Sequence, residues 1–160
     1  MKTKLILALS FSAIALSACG GASSSDAPMI TFNCPVDYTC TVNDPETGNT
    51  DFYSLSGFGG MTMGPLVTAD AMRDAETMEE AKIKIVDQFQ VPQAEISLEG
   101  SAANGRPYIV FPSQNNPGQT TYVELHQNGD YFFGCTLSGV VSAPSEIQEA
   151  GEAACSNMNS

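Results

Sequence analysis

His126 is the only histidine in the 160-residue chain, and it is the residue best suited to acid–base chemistry near neutral pH. Glu124 stands two positions earlier, and side chains two apart on a β-strand project from the same face. Such a pair supports nucleophilic catalysis only beside a placed nucleophile, and the sequence has no Gly-x-Ser-x-Gly elbow, Walker loop or His-x-x-x-His pair. We therefore expect a structural hydrogen-bond network, with no catalytic residue and no enzymatic activity. A catalytic polar cluster is the alternative.

A Gly-rich apolar stretch at residues 56–65 contains Phe58, Met61 and Met63. Thioethers are soft ligands that suit Cu(I), although two are too few for a site on their own. Methionine also fills gaps at adaptable binding surfaces. Three interpretations stay open: a flap over the core, a protein-binding patch, and a loop that carries Cu(I) or a small ligand. We assign no metal ligand and no cofactor.

The first 28 residues have the layout of an export signal followed by a tether. Met1–Lys4 is basic and Leu5–Leu16 is an apolar run too short to span a membrane. The small residues before Cys19, in the order Leu-Ser-Ala-Cys, resemble the lipobox of bacterial lipoproteins. An ordinary secretory cleavage site with an incidental cysteine is the alternative. Residues 20–28 are small and polar, as is typical of a flexible tether.

The lipobox resemblance implies a cellular address and a covalent modification. It implies cleavage before Cys19, a diacylglyceryl group on its thiol and a further acyl chain such as palmitate on the new amino terminus, enough for stable anchoring. Gly20 follows the lipidated position, which favours the outer membrane, with the domain facing the periplasm. The predicted organisation is a signal peptide at 1–18, a lipidated cysteine and tether at 19–28, and one globular domain at 29–160.

Four further cysteines lie in the predicted domain, an even number in a chain exported to an oxidising compartment. They allow three pairings, of which proximity favours Cys34 with Cys40 and leaves Cys135 for Cys155. Redox or zinc chemistry would need a Cys-x-x-Cys motif or clustered histidines, and the sequence has neither. We expect two structural disulfides.

The chain is strongly acidic, with 6 Lys and Arg against 18 Asp and Glu and a formal charge of −12. Removal of Lys2 and Lys4 with the signal leaves four basic residues against the same 18 acids, a charge of −14. Nucleic-acid binding requires a basic surface, so this class of protein is excluded. The length and the 42% hydrophobic content favour a single domain with a real core.

The candidate residues of the predicted domain must be positioned by strands and helices. Residues 29–32 and 39–43 are predicted to form a hairpin, followed by a third strand at 51–55. A capping box at Thr77 to Glu80 predicts a helix to about Gln90, preceded by a turn from Asp70. A second capping box at Ser145 predicts a final helix to about Met158.

A meander of four strands is predicted between the two helices, at residues 95–99, 107–111, 120–127 and 130–138. Asn116-Pro117-Gly118 predicts a type II turn, and Asn128-Gly129 is a strong hairpin signal. A two-residue Asn-Gly loop would place Glu124 near Phe133 and His126 near Tyr131. Both faces of the last hairpin hold large apolar groups, so we expect layers packed on both sides of the sheet.

This order of elements resembles the PsbP-like and DcrB-like α/β/α sandwich group. The resemblance covers roughly residues 29–158 and depends mainly on the stretches 30–35, 104–107, 128–131 and 137–139. It implies an α+β fold, with helices packed on an antiparallel sheet of about six to seven strands. Members include envelope lipoproteins and adaptors that bind other proteins, without a common catalytic site. We therefore expect a non-enzymatic accessory domain with an envelope protein as partner.

Overall fold

The computed structural model describes residues 30–45, 47–54, 66–72, 75–114, 116–140 and 143–159. The predictions for the signal, for lipidation of Cys19 and for the loop with Phe58, Met61 and Met63 lie outside these ranges. Among the described residues, no helix combines the length and the apolar character needed to cross a membrane.

Antiparallel strands dominate the described part of the chain. Seven of them pair side by side in the order β2-β3-β4-β8-β7-β6-β5, and the short strands β1 and β9 pair with each other. The prediction of an α+β chain with an antiparallel sheet is confirmed. The strands are β1 (Thr31–Phe32), β2 (Tyr38–Asp44), β3 (Asn49–Ser54), β4 (Leu66–Met72), β5 (Leu98–Ser101), β6 (Pro107–Pro112), β7 (Thr120–Asn128), β8 (Tyr131–Val140) and β9 (Met158–Asn159).

The meander from β5 to β8 is confirmed, because each strand pairs with the next along the chain. Asn116 accepts a hydrogen bond from the Gln119 amide at 3.0 Å, and Gly118 has a φ of 87°, as the predicted turn requires.

The predicted register of the last hairpin is wrong by one position on each strand. Asn128 pairs with Tyr131, so the two loop residues are Gly129 and Asp130 instead of Asn128 and Gly129. Gly129 has a φ of 59° and takes the first loop position, where a residue without Cβ adopts this conformation at no steric cost. Glu124 consequently lies opposite Cys135, and His126 lies opposite Phe133.

The predicted hairpin between the first two strands is wrong. β1 pairs with β9 at the other end of the chain, through Phe32 opposite Met158, and β2 pairs with β3. The sequence-based prediction also missed β4, whose residues from Asp70 onward were assigned to a turn before the helix. β4 is an inner strand between β3 and β8, so its conformation depends in part on pairing with β8, which is distant in sequence.

Helix α1 (Met78–Gln88) begins at the predicted position. The Thr77 hydroxyl accepts a hydrogen bond from the Glu80 amide at 3.1 Å, and the Glu80 carboxylate accepts one from the Glu76 amide at 2.9 Å. The carboxylate therefore reaches one residue further back than in a standard capping box. Ala81, Ile85 and Val86 form its buried face.

Helix α2 (Pro144–Cys155) differs from its prediction at both ends. Ala143 occupies the N-cap position, and Glu146 accepts a hydrogen bond from its amide at 3.1 Å, so Ser145 is not the cap. The helix ends at Cys155, before Met158, because the chain turns back there. Asn157 accepts a hydrogen bond from the Asn33 amide at 3.0 Å, and Met158 pairs with β1.

The two helices cover opposite faces of the sheet. Val123, Leu125 and Phe132 pack with α1 in one apolar cluster. Tyr122, Phe133, Cys135 and Leu137 alternate with them along β7 and β8 and pack with α2 in a second cluster. The prediction of layers on both sides of the last hairpin is confirmed.

Two disulfides join the four domain cysteines in the pairing that proximity favoured. Cys34 bonds to Cys40 beside β2, and Cys135 on β8 bonds to Cys155 at the end of α2. The Cα–Cα distance is 5.9 Å in each. The second disulfide lies within the buried core beneath α2 and joins the helix to the sheet.

Candidate functional site

A buried polar cluster lies on the face of the sheet that α2 covers. Tyr122, Glu124 and His126 occupy alternate positions of β7, so their side chains share that face. The side chains of Glu124 and His126 have no solvent-exposed area. The two side chains therefore lie inside the domain.

Glu124 is the centre of the cluster and accepts hydrogen bonds on both carboxylate oxygens. The Tyr122 hydroxyl donates to Oε2 at 2.7 Å, and Asn104 Nδ2 donates to Oε1 at 2.8 Å. Arg106 Nη1 lies 3.9 Å from the same Oε1 and donates to the Met158 carbonyl at 3.2 Å. Neutral donors and one cation thus surround a buried carboxylate, the environment that an ionised group needs away from water.

The tight turn between β5 and β6 positions Asn104 and Arg106. The Ala102 amide donates to the Arg106 carbonyl at 2.8 Å, and Gly105, with a φ of 83°, lies at the tip. Asn104 Oδ1 accepts a hydrogen bond from the Arg106 amide at 2.9 Å, which leaves its amide nitrogen directed at Glu124. The asparagine therefore links the local turn to the core of the sheet.

His126 lies beside Glu124 without a hydrogen bond of normal geometry. Its Nε2 is 3.1 Å from Glu124 Oε1, but the ring is not oriented for a hydrogen bond. Neither ring nitrogen has a hydrogen-bond partner among the described residues. His126 is therefore an enclosed polar ring whose Nε2 lies beside the Glu124 carboxylate.

The protonation states of the cluster follow from burial and from these neighbours. Burial raises the pKa of Glu124, but the His126 ring and the donors of Tyr122 and Asn104 outweigh burial and leave that pKa below its ordinary value. Burial lowers the pKa of His126; the neighbouring Glu124 opposes this change only in part, and the charge of Arg106 adds to it. Near neutral pH the cluster therefore contains a carboxylate and a neutral imidazole.

The pKa of Tyr122 is raised, first by burial and second by the hydrogen bond to Glu124. The phenol thus stays protonated and remains a donor. This residue was missed in the sequence-based site, and so were Asn104 and Arg106. Tyr122 could have been found from its alternation with Glu124 on the same strand, whereas the contribution of the β5–β6 turn depends on tertiary contacts.

The cluster is tightly packed on the side that α2 covers. At Gly151 of α2 a Cβ would overlap ring atoms of Tyr122, so helix and strand are in direct contact. The Tyr108 ring stacks on Tyr122 with a centroid distance of 5.5 Å. A reacting group would need open space beside Glu124, and on this side the space is filled by aromatic rings and helix backbone.

The other predicted site residues are distributed as follows. Cys34, Cys40, Cys135 and Cys155 are disulfide-bonded and so provide no thiolate. In the ranges that the structure describes, no group of three or more His, Cys, Asp or Glu side chains is arranged to hold a metal ion. Phe58, Met61 and Met63, the predicted partner or ligand loop, lie outside those ranges.

Comparison of the chain with the profiles of known families and with curated proteins finds no match. The proposals below consequently depend on the chain's own residues and geometry.

Proposed function

We propose that this chain is a lipid-anchored envelope lipoprotein without enzymatic activity, whose domain faces the periplasm and binds another envelope protein. The observation that carries the proposal is the enclosure of Glu124 and His126, the pair best suited to acid–base chemistry. Because both side chains are fully buried and Glu124 already accepts a hydrogen bond on each oxygen, they serve the stability of the domain. We therefore assign the function of the chain to the surface of the domain.

Two features support an envelope location. The lipobox at Cys19 supplies the anchor, and the two disulfides suit an oxidising compartment such as the periplasm. The arrangement of one helix on each face of an antiparallel sheet is compatible with a PsbP-like or DcrB-like domain, a group that includes protein-binding envelope lipoproteins. We propose membership of that group on this basis.

The anchor is tested by labelling cells with a palmitate analogue. The full chain is expected to incorporate the label and to fractionate with the outer membrane, while Cys19→Ser incorporates none. Ser17→Thr is a matched control, because it changes the same segment and keeps the thiol. Incorporation of label into Cys19→Ser would refute lipidation at this residue.

The binding role is tested by in-cell crosslinking of the tagged full chain and mass spectrometry of the products. One envelope protein captured in near-equal amount, by wild type and by a folded His126→Gln variant, is the expected result. If His126→Gln folds normally but loses the chain's biological effect, the histidine has a functional role and the proposal fails. Absence of a stoichiometric partner would favour the alternative of a ligand or metal carrier.

A further inference from the structure

Strand β2 forms one edge of the seven-stranded sheet. No other strand among the described residues pairs with the outer side of β2, although the Tyr38 amide donates to the Pro35 carbonyl at 3.2 Å. Over residues 39–43, alternate residues of the strand direct their N–H and C=O groups outward. Thr39 and Thr41 are exposed, and Val42 has 57% of its surface accessible. Such an edge can accept a further strand, a recognised mode of binding extended peptides.

The opposite edge of the sheet is built differently. β5 has only four residues, and its Glu99 forms an ion pair with Lys82 of α1. Short length and neutralising charge pairs are features that discourage strand addition. β2 has seven residues, which makes it the longer template for an added strand.

The chain segment that contains β2 and its sheet neighbours β3 and β4 has acidic residues and no basic ones. Residues 30–72 contain no Lys, Arg or His, but they contain five acidic residues. Asp37 is exposed in the turn before β2, and Asp51 of β3 lies opposite Thr41. Pairing of β2 with β2 of a second copy would bring an equally acidic segment to this edge, without a basic side chain to approach Asp51.

We propose that the outer edge of β2, over residues 39–43, binds an extended segment of the partner protein that carries Lys or Arg at alternate positions. This inference rests on the proposed function and specifies the chemistry of the partner. Neighbouring strands lie about 4.8 Å apart, so an added strand would run about 10 Å from β3. A long cationic side chain can cross the small Thr41 and approach Asp51.

The test uses the lipidated full chain in nonionic detergent and three synthetic octapeptides. The first alternates Lys with Val, the second has Glu in place of Lys, and the third is the Lys peptide with alternate backbone nitrogens methylated. We expect the Lys peptide to bind and to slow hydrogen exchange of the amides at 39–43. The Glu peptide and the methylated peptide are expected to bind at least about tenfold more weakly.

Matched variants separate the edge from general electrostatic attraction. Asp51→Asn should weaken binding of the Lys peptide about two- to fivefold, as is typical of an exposed ion pair. Glu149→Gln removes one exposed carboxylate from α2 and should leave the affinity unchanged. An equal loss in both variants, or equal binding of the methylated peptide, would overturn the proposal. So would no binding of the Lys peptide.

The crosslinking experiment distinguishes this inference from the proposed function. A stoichiometric partner crosslinked through α2 or another surface would preserve the binding role and refute the β2 edge. A partner crosslinked at Thr39 or Thr41 through an extended basic segment would support both.

Discussion

Glu124 is a carboxylate without solvent exposure, and its environment compensates for the loss of water. The hydroxyl of Tyr122 and the amide of Asn104 replace two hydrating molecules, and Arg106 contributes a positive charge at 3.9 Å. A buried charge deprived of such partners costs several kcal/mol. Single substitutions in the cluster should therefore lower the stability of the domain strongly.

The pKa values of Glu124 and His126 predict a stability that falls with acidification. Both pKa values are lower in the folded chain than their ordinary values of 4.5 and 6.5. Below pH 6.5 the unfolded chain therefore binds a proton at His126 that the folded chain does not, and below pH 4.5 the same holds for Glu124. The loss is at most about 1.4 kcal/mol per pH unit for each group.

Urea unfolding of wild type and His126→Gln from pH 8 to pH 5 measures this effect. Acidification also relieves repulsion among the many carboxylates, so the informative quantity is the difference between the two chains. We expect the stability of wild type relative to His126→Gln to decrease below pH 6.5. A relative stability that stays constant or rises would contradict a lowered His126 pKa.

The hydrogen bond from Tyr122 to Glu124 gives a second prediction. Tyr122→Phe should reduce the free energy of unfolding by about 1.5–3 kcal/mol, because it removes a donor to a buried charge. Tyr108→Phe is the matched control, since its ring stacks on Tyr122 but its hydroxyl makes no hydrogen bond to another described residue. Its cost should stay below about 1 kcal/mol. Equal costs would assign the effect to ring packing.

At the scale of elements, close contact between α2 and β7 depends on a glycine within the helix. Gly151 is buried against the Tyr122 ring, and a Cβ there would overlap ring atoms. Glycine lowers helix stability by about 1 kcal/mol relative to alanine. Gly151 therefore lowers the intrinsic stability of the helix but allows the helix to pack close to the sheet.

Gly151→Ala should destabilise the domain by about 1–3 kcal/mol, although alanine is the better helix former. In a Tyr122→Ala background the overlap disappears, and the same change should become neutral or stabilising. Urea unfolding of the four chains in this double-mutant cycle provides the measurement. Additive effects would show that Gly151 acts independently of the tyrosine.

At the scale of the whole molecule, the two disulfides constrain very different parts of the chain. Cys34–Cys40 closes a short loop with a sequence separation of 6, next to an edge strand. Cys135–Cys155 has a separation of 20 and ties the final helix to the buried sheet. Loop-closure entropy predicts that the first disulfide adds about 2 kcal/mol to the free energy of unfolding and the second about 3 kcal/mol.

We expect Cys135→Ala/Cys155→Ala to lose more stability than Cys34→Ala/Cys40→Ala in urea unfolding. The difference should be at least about 1 kcal/mol, because removal of the buried sulfurs of Cys135 and Cys155 also leaves space in the core. Thiol titration of the denatured wild-type mature chain should find no free cysteine. One reactive thiol per chain would contradict the pairing.

The elements that local chemistry specifies were predictable. Thr77 begins α1, the turns at Asn116 and Gly129 separate consecutive strands, and alternation along β7 and β8 assigns side chains to two faces. These features depend on residues within a few positions of one another. The proximity of Cys34 to Cys40 likewise favoured the correct pairing among three.

The remaining features depend on contacts between distant segments. β1 pairs with β9 across almost the whole domain, and β4 is a strand because β3 and β8 lie on either side of it. The loop at Gly129 has two allowed placements, and the pairing of β7 with β8 selects one.

By itself, the sequence determined the α+β composition, the consecutive pairing of the meander and the presence of a polar pair on β7, because local periodicity and turn chemistry carry that information. Only the tertiary structure decided that Asn104 and Arg106 complete the cluster and that α2 encloses it. Burial and pairing between distant strands are properties of the packed chain. They made Glu124 a buried structural anion and left β2 as an acidic edge.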